Sequence, residues 1–463
     1  MSHLSAHAID RLLAHVKLLP TSNWPAVMYS AKILHVGLLE DLFSASGIKF
    51  RPCRSLAQQG FENAESGMGV CEIEVSNPSA FDVLKHWRRS AIFQPVRSMF
   101  FIVSGTTKEW PQAMHAILGF LASLPCEVKH FVEFHLFVEG PAGDVVLDGS
   151  LFVDLIRALM QTKCNLFSLY TGDLSFGMDT EQLTMDITTS PIVSPLRSIT
   201  IESSILLEPT FHRSLLTWFA AASRSLKSLD ICFGQPLSAS WTTFIRQLHF
   251  PNLYHIRVEP LDQTCLAEIL QNHPNIVTLE LSNLDSLSTF RVPAIRLPSL
   301  GLVIGRALDV DRFLRSVTEL HALHISLELQ VGADVIQGKT FDTNAHLLLL
   351  QSLALRPEIA DSLTITFPDL DSFTQSFFPT PYSRSRPENS LRISSIQIVL
   401  QVECGLKERS VKELLDMILT WLPLFPCLEH VWIMRHSGEV GDHDKGSFTS
   451  AVFRAMPHVI VRF

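Results

Sequence analysis

The sequence has few charged residues, few tyrosines and no closely spaced cysteines. Asp, Glu, Lys and Arg make up 18% of the 463 residues, and four Tyr stand against thirty Phe. This excess of Phe predicts rings packed inside the fold rather than a tyrosine-rich binding surface. The nearest two of the eight Cys, Cys53 and Cys71, are separated by more than a Cys-x-x-Cys knuckle or redox pair allows.

Signals for export and for membrane insertion are also missing. Apolar runs such as 99–103 and 347–350 are far shorter than the roughly 20 residues that span a bilayer. The first residues lack a basic segment followed by an apolar one, and no Asn-x-Ser/Thr acceptor occurs because Pro78 interrupts Asn77-Pro78-Ser79. The formal charge of −9 argues against nucleic-acid and anionic-membrane partners. We therefore expect an intracellular protein of the cytoplasm or nucleus, with reduced cysteines.

Motifs for catalysis and cofactor binding are scarce. There is no Gly-x-Ser-x-Gly, Gly-x-Gly-x-x-Gly or His-Glu-x-x-His. Residues 333–340 end in Gly338-Lys339-Thr340, as a phosphate loop does, but Ala333 replaces the first glycine. Neither His130-x-x-Glu133-x-His135 nor the His and Asp residues of 436–444 have the fixed geometry of a metal site. The sequence predicts no enzyme, cofactor or metal, and leaves a nucleotide-dependent switch using 333–340 as an alternative.

A phrase of the form Leu-x-x-Leu-x-Leu recurs along the chain at intervals typical of repeat proteins. Weaker copies begin at 70, 96, 131 and 166, and a closing copy begins at 456. The clearer copies begin at 196, 226, 253, 276, 297, 320, 360, 393 and 428. Apolar residues at the fourth and sixth positions alternate with polar ones, as in a strand with one buried face. Each phrase is therefore a predicted strand.

Segments with helical periodicity, such as Leu151 to Leu159 and Val411 to Leu419, lie between the phrases. Prolines such as Pro251, Pro274 and Pro426 come just before the next phrase, where proline ends a helix and favours an extended chain. Parallel strands joined through helices require right-handed crossovers. The predicted fold is an α/β leucine-rich-repeat solenoid with a curved parallel sheet on the concave side and helices on the convex side.

Residues 1–65 contain helical patterns but no clear strand phrase, so we predict a helical N-terminal cap there. Residues 66–463 form the predicted irregular solenoid. Two segments rich in proline, serine, glycine or charge, 368–390 and 435–447, are predicted loop inserts.

The irregular Pro-x-Leu-x-x-Leu-x-Leu strands with full helices, rich in Phe, Ser and Pro, resemble the repeat region of fungal F-box-like proteins. The resemblance covers the repeats from about residue 65 onward, whereas the Leu-Pro-x-Glu-Leu opening of an F-box is not recognisable at Leu19-Pro20. In that family an N-terminal helical F-box recruits a ubiquitin-ligase adaptor and the repeats hold the substrate. The resemblance implies substrate recognition for a ubiquitin ligase, with that adaptor as a second partner.

The preferred hypothesis is a non-catalytic scaffold that binds a partner protein on the concave sheet. Outward residues of successive strands form columns about 4.8 Å apart. The predicted central column is Thr200, Asp230, Arg257, Glu280, Gly301, His324, Thr364, Gln397 and Trp432. Candidate partner-binding residues are Asp230, Arg257, Glu259, Glu280, His324 and Trp432. Arg257 and Trp432 are the strongest candidates among them, because aromatic and Arg residues are the usual anchors of protein interfaces. A degenerate family member or gene fragment without adaptor binding is the remaining alternative.

Overall fold

The fold is mixed α/β and dominated by parallel strands. A computed structural model describes residues 13–20, 23–24, 38, 41–42, 44–46, 48–53, 70–75, 96–104, 106, 108–123, 132–140, 146–172, 174–177, 195–203, 209–232, 239–259, 263–281, 295–320, 323–328, 348–349, 352–353, 356, 359–367, 392–400, 415–416, 418–419, 422, 425–435 and 442–463. The chain divides into two compact units, Met1–Asn252 and Leu253–Phe463.

The described residues of the first unit form nine strands. They are β1 (Ile48–Cys53), β2 (Val70–Val75), β3 (Val96–Ser104), β4 (Glu133–Glu139), β5 (Val146–Asp148), β6 (Leu166–Gly172), β7 (Ser175–Gly177), β8 (Ser198–Ser203) and β9 (Ser228–Cys232). Within this unit the main sheet has the order β1-β2-β3-β4-β6-β8-β9. β1 pairs antiparallel with β2, and the later neighbours pair in parallel. β5 and β7 form a separate short parallel pair.

In the part of the second unit that the structure describes there are ten strands. They are β10 (His255–Glu259), β11 (Thr278–Leu281), β12 (Ile295–Arg296), β13 (Leu302–Gly305), β14 (Val317–Glu319), β15 (Leu323–Glu328), β16 (Ala360–Phe367), β17 (Ser395–Leu400), β18 (His430–Arg435) and β19 (Ile460–Arg462). Its main sheet has the order β10-β11-β13-β15-β16-β17-β18-β19, with parallel neighbours throughout. β12 and β14 form a separate parallel pair.

Helices connect many of these strands. They are α1 (Glu109–Ser123), α2 (Ser150–Met160), α3 (Pro209–Ala222), α4 (Ala239–Arg246), α5 (Gln263–Asn272), α6 (Ala307–Ser316) and α7 (Asp442–Ala455). Local chemistry explains where some begin: the Thr106 hydroxyl accepts a hydrogen bond from the Glu109 amide at 3.2 Å and so caps α1. Pro274 and Pro426 lie in turns before β11 and β18, which confirms the predicted proline-led entry into these strands. This alternation of parallel strand and helix is compatible with a solenoid.

The inward residues of the strands pair directly and form the core with the helices. Ile199 of β8 faces Leu229 of β9, and Ile256 of β10 faces Leu279 of β11; none of these side chains is more than 3% exposed. Burying one such aliphatic side chain contributes about 1.5–3 kcal/mol. Since side chains alternate along a strand, the residues between these buried ones lie on the opposite face of the sheet.

Aromatic rings fill much of the core of the first unit, as the Phe-rich composition predicts. The rings of Phe134 and Phe167, on adjacent strands, stack with centroids 6.2 Å apart. Trp218 of α3 meets Phe167 edge-on at 5.1 Å and is itself fully buried. The helix therefore packs on the inward face of this sheet.

At four strands the observed register differs from the predicted phrase. In β6 the inward residues are Phe167 and Leu169, paired with Ile199 and Ile201 of β8, so the phrase begins at Cys164 rather than Leu166. The phrase predicted at 297 begins at 300, because the residues of β13 opposite Leu279 and Leu281 of β11 are Val303 and Gly305. The phrases predicted at 320 and 456 are displaced by two residues. The sequence could not show this, because Leu or Val residues flank the true inward positions and Gly305 has no side chain.

Two predicted boundaries also change. The region 1–65, predicted as a helical cap, contains helical residues 13–17 and also the strand β1. β1 is antiparallel and lacks the repeat phrase, so the sequence pattern did not reveal it. The predicted insert 435–447 overlaps β18 at Arg435 and α7 from Asp442 onward. The insert predicted at 368–390 lies outside the described residues.

Candidate protein-interaction surface

The strand residues that alternate with the buried ones lie on what we call the open face of each sheet. In β8 the outward residues Ser198 and Thr200 are half-buried and Glu202 is exposed, whereas the intervening Ile199 and Ile201 are fully buried. The registers place outward residues of neighbouring strands directly opposite one another, about 4.8 Å apart. Each open face therefore presents ordered rows of side chains, as the sequence predicts.

Three of the predicted binding residues form one ion-pair cluster in the second unit. Arg257 Nε lies 2.9 Å from a carboxylate oxygen of Glu259 and 3.0 Å from one of Glu280. Glu259 is only 6% exposed, and Arg257 lies directly opposite Glu280 in the register. The guanidinium thus neutralises two neighbouring carboxylates within the fold. Burial and, second, the charge of Arg257 lower the pKa of the nearby His255 below its ordinary value.

His324 of β15 is held by two hydroxyl groups of β16. Its Nδ1 lies 2.5 Å from the Ser362 hydroxyl, and its Nε2 lies 2.9 Å from the Thr364 hydroxyl. Burial lowers the pKa of His324 below its ordinary value, so the neutral ring is favoured.

His324 does not belong to the central column. It faces Leu302 and Ser362, whereas the residue of β15 that faces Thr364 is Ser326. The position opposite Glu280 is Ile304 rather than Gly301. The observed central row of the second unit is Arg257, Glu280, Ile304, Ser326, Thr364, Gln397, Trp432 and Arg462. The observed row keeps Arg257 and Glu280, lacks Gly301 and His324, and ends at Arg462, which corrects the placement of both Gly301 and His324.

Trp432 is the most exposed of the predicted anchors. It is 37% exposed, and Met434 on the same strand is 49% exposed. Val399 faces Met434 from β17, and Ile460 of β19, 50% exposed, lies diagonally beside Trp432. We call Val399, Trp432, Met434 and Ile460 the tryptophan patch. The guanidinium carbon of Arg462 lies 4.6 Å from the Trp432 ring centroid, which holds the indole by a cation–π contact.

The tryptophan patch and the Arg257 cluster are separate places on the second sheet. β10 and β18 are separated in the sheet order by β11, β13, β15, β16 and β17. At about 4.8 Å for each strand step, Trp432 lies roughly 29 Å along the sheet from Arg257. A single short segment of a partner could not use both as anchors.

A patch on the open face of the first unit was not predicted. Phe100 and His135 stack with ring centroids 4.2 Å apart and planes 2° apart. Phe137 and Tyr170 stack at 4.7 Å, with planes 7° apart. Ile102 faces Phe137 from β3. We call Phe100, Ile102, His135, Phe137 and Tyr170 the aromatic patch; all five are half-buried.

The sequence contained a signal for this patch. Phe100 and Ile102 occupy outward positions of the phrase at 96, and His135 and Phe137 occupy outward positions of the phrase at 131. Polar residues prevail at those positions in the later repeats. Large apolar residues at outward positions of consecutive strands therefore predict an apolar patch on the open face.

Asp230 lies on β9 of the first unit, opposite Thr200, and is half-buried. Glu133 of β4 accepts a hydrogen bond from the Ser98 hydroxyl at 2.5 Å and lies 3.7 Å from His135 Nε2. His130 and residues 333–340, considered above as metal and nucleotide sites, lie outside the described residues. Within the ranges that the structure describes, no three His, Cys, Asp or Glu side chains group as metal ligands would. No described helix is long and apolar enough to cross a membrane.

Comparisons with known proteins add little to this picture. No family model matches the chain, and no curated protein matches it. A chain of the yeast Rad7 and Elc1 complex aligns over 99% of this chain and 98% of its own length, with 11% identity and a TM-score of 0.28. A chain of the Drosophila Toll–Spatzle complex aligns over 79% and 61%, with 11% identity and a TM-score of 0.16. At such TM-scores neither likeness carries an argument.

Proposed function

We propose that this protein is a non-catalytic scaffold of the leucine-rich-repeat type that holds a partner protein against the open face of its sheet. The observation that carries the proposal is the tryptophan patch. Trp432, Met434 and Ile460 are each between 37% and 50% exposed, and they lie together on two adjacent parallel strands of the open face. Large apolar side chains grouped on a surface mark interaction sites more often than single exposed ones.

The chemistry of the patch suits a protein partner. Trp and Met are enriched at interface cores, and Trp is the residue most often found as an energetic hot spot. Arg462 restrains the indole before binding, which reduces the entropy that an interface anchor loses. Gln397 of the central row, directly opposite Trp432, supplies a polar group at the edge of the patch.

The test compares proteins retained by the wild-type chain with those retained by two matched variants. Trp432→Ala removes an aromatic anchor from the open face, whereas Phe453→Ala removes an aromatic ring, 63% exposed, from the outer side of α7. We expect a partner identified by mass spectrometry to be depleted at least tenfold with Trp432→Ala, because a hot-spot aromatic residue contributes about 2 kcal/mol or more. It should be retained with Phe453→Ala. Equal depletion by both variants, or depletion by Phe453→Ala alone, would count against the open face.

The narrower proposal is that the partner is a substrate of a ubiquitin ligase. It rests on the resemblance of the repeats to those of fungal F-box-like proteins. Co-purification with the ligase adaptor, with and without the N-terminal helical region, tests it. The truncation should end before Ile48, because β1 pairs with β2 along its whole length and its removal would expose a sheet edge. Adaptor retained only by the full chain supports ligase recruitment; adaptor absent from both speaks against it.

A further inference from the structure

The aromatic patch of the first unit lies among carboxylates. The open-face positions of β4, β6, β8 and β9 include four acidic residues and no Lys or Arg, whereas Glu74 of β2, opposite Phe100, pairs with Lys49 of β1 at 2.6 Å. The acidic residues are Glu133, Glu139, Glu202 and Asp230. The chain contains 37 Lys and Arg residues, so a shortage of basic residues does not explain the acidic character of these strands. The charge on this face therefore favours a cationic partner and opposes nucleic acid.

Two of the acidic side chains lie next to the aromatic rings of the patch. Glu202 of β8 lies directly opposite Tyr170, so the row that begins with Ile102 and runs through Phe137 and Tyr170 reaches a carboxylate on the next strand. Glu139 lies two residues beyond Phe137 on the same face of β4. Both Glu202 and Glu139 are exposed. An aromatic row next to exposed carboxylates is thus built into three consecutive strands.

This combination fits a guanidinium group better than any other protein side chain. A guanidinium is planar, stacks on aromatic faces and pairs with carboxylates through two parallel N–H groups. Its apolar stem can cover apolar surface while the charged end meets a carboxylate. A lysine ammonium gains the charge attraction but neither the stacking nor the paired geometry.

We propose that the aromatic patch binds an arginine-bearing basic segment of a partner protein. The guanidinium lies beside Tyr170 and pairs with Glu202 or Glu139, and the apolar part of the segment covers Ile102 and Phe137. This assignment rests on the proposed function, because it names the chemistry of a partner held on the open face. It adds a second docking place, in the first unit, to the tryptophan patch of the second unit.

The direct test uses fluorescence anisotropy of the full chain with a labelled peptide in which arginine alternates with serine. Peptides with lysine or glutamate in place of arginine serve as comparisons. We expect saturable binding of the arginine peptide, about fivefold weaker binding of the lysine peptide and none of the glutamate peptide. Added salt should weaken the binding, since the contributing charges are near the surface. No binding of the arginine peptide, or equal binding of the glutamate peptide, overturns the proposal.

Variants locate the site. Tyr170→Leu keeps apolar bulk but removes the ring, and Glu202→Gln removes one charge with little change of shape. Each should weaken the arginine peptide about fivefold. Asp154→Asn is the matched control, because it removes one partly exposed carboxylate from α2 of the same unit. Melting temperatures establish that all three variants fold. Equal affinity across wild type, patch variants and control overturns the assignment of the site.

The failure of this inference can be told apart from failure of the proposed function. Trp432→Ala should leave binding of the arginine peptide unchanged, because Trp432 belongs to the other unit. A native partner that is lost with Trp432→Ala, in a chain that does not bind the arginine peptide, supports the proposed function and overturns the arginine site alone. Arginine peptide binding that depends on Tyr170 and Glu202 supports the site whichever partner the tryptophan patch holds.

Discussion

Gly305 of β13 lies directly opposite Leu281 of β11, and the two strands leave no room for a side chain at residue 305. A Cβ atom built on Gly305 would overlap the carbonyl oxygen of Leu281 and come within 3.1 Å of its Cβ. Gly305 therefore occupies an inward position, where other repeats have a large aliphatic residue, because the neighbouring backbone approaches closely. This position also fixes Val303 as the other inward residue of the strand.

Gly305→Ala should destabilise the protein by about 1–3 kcal/mol, because the added methyl group must displace backbone rather than a flexible side chain. Gly301→Ala is the matched control: nothing lies within 4 Å of a Cβ built there, so we expect a change within about 0.5 kcal/mol. Denaturant unfolding of the two variants measures the difference. If both were equally mild, the close approach of β11 and β13 would be wrong.

A comparison of β13 with β9 and β11 shows what the sequence could and could not predict about the register. At Leu229 and Ile231, and at Leu279 and Leu281, both inward positions are large and aliphatic, so the alternation alone predicted the register. In β13 one inward position is Gly305, and the flanking leucines led to a register displaced by three residues.

Which residues share a row of the open face depends on the register of every strand in the sheet. Trp432 was predicted as an exposed anchor and is 37% exposed, but whether it binds a partner stays a prediction. The sequence could not show that Arg257 pairs with both Glu259 and Glu280, because those contacts depend on side-chain conformation as well as on strand pairing.

Leu279→Asp should cost several kcal/mol, because an unpaired carboxylate would enter a core position that is 1% exposed. Val277, two residues earlier, is 42% exposed, so Val277→Asp is the control and should change stability by less than about 1 kcal/mol. Thermal melting followed by circular dichroism distinguishes the two. An unchanged melting temperature for Leu279→Asp would contradict the inward assignment.

Acidification should destabilise the protein through His324 and His255. The pKa of each is lowered in the folded state, by burial first, so below the unfolded pKa the unfolded chain binds more protons. The contribution of the two neutral histidines to the free energy of unfolding is therefore complete above about pH 7 and decreases as the pH falls through about 6.5. In denaturant unfolding at several pH values, His324→Gln should show a shallower loss than wild type. An identical pH dependence would exclude His324 as a contributor.

Cys164 should resist alkylation in the native protein. Burial raises the pKa of its thiol to about 12, and the Sγ atom donates to the Leu166 carbonyl at 3.0 Å. Cys427 is exposed and serves as the internal control. At pH 8, iodoacetamide should modify Cys427 rapidly and Cys164 only after denaturation, because the thiolate is the reactive form. Mass spectrometry of the two peptides measures this, and comparable rates in the folded chain would contradict the burial of Cys164.

Substitutions at Arg257 and Trp432 should differ in their effect on the free energy of unfolding, which allows a loss of stability to be told apart from a loss of binding. Arg257→Ala leaves Glu259, 6% exposed, and Glu280 without the guanidinium that both contact, so we expect a loss of about 1–3 kcal/mol in denaturant unfolding. Adding Glu259→Gln and Glu280→Gln to Arg257→Ala should recover part of this loss, since the residual repulsion is removed. Trp432→Ala should change stability by less than about 1 kcal/mol, because its ring is partly solvated and lies against the exposed Arg462.

A partner that is lost with Trp432→Ala at unchanged stability is therefore evidence of an interface. A partner that is lost with Arg257→Ala but regained in the triple variant reports only on the fold, because the triple variant lacks the guanidinium as well. A partner still lost in a triple variant of restored stability would instead show that Arg257 contacts the partner itself. That outcome would mean that the ion-pair cluster opens on binding, since in the free protein the guanidinium is held between two carboxylates.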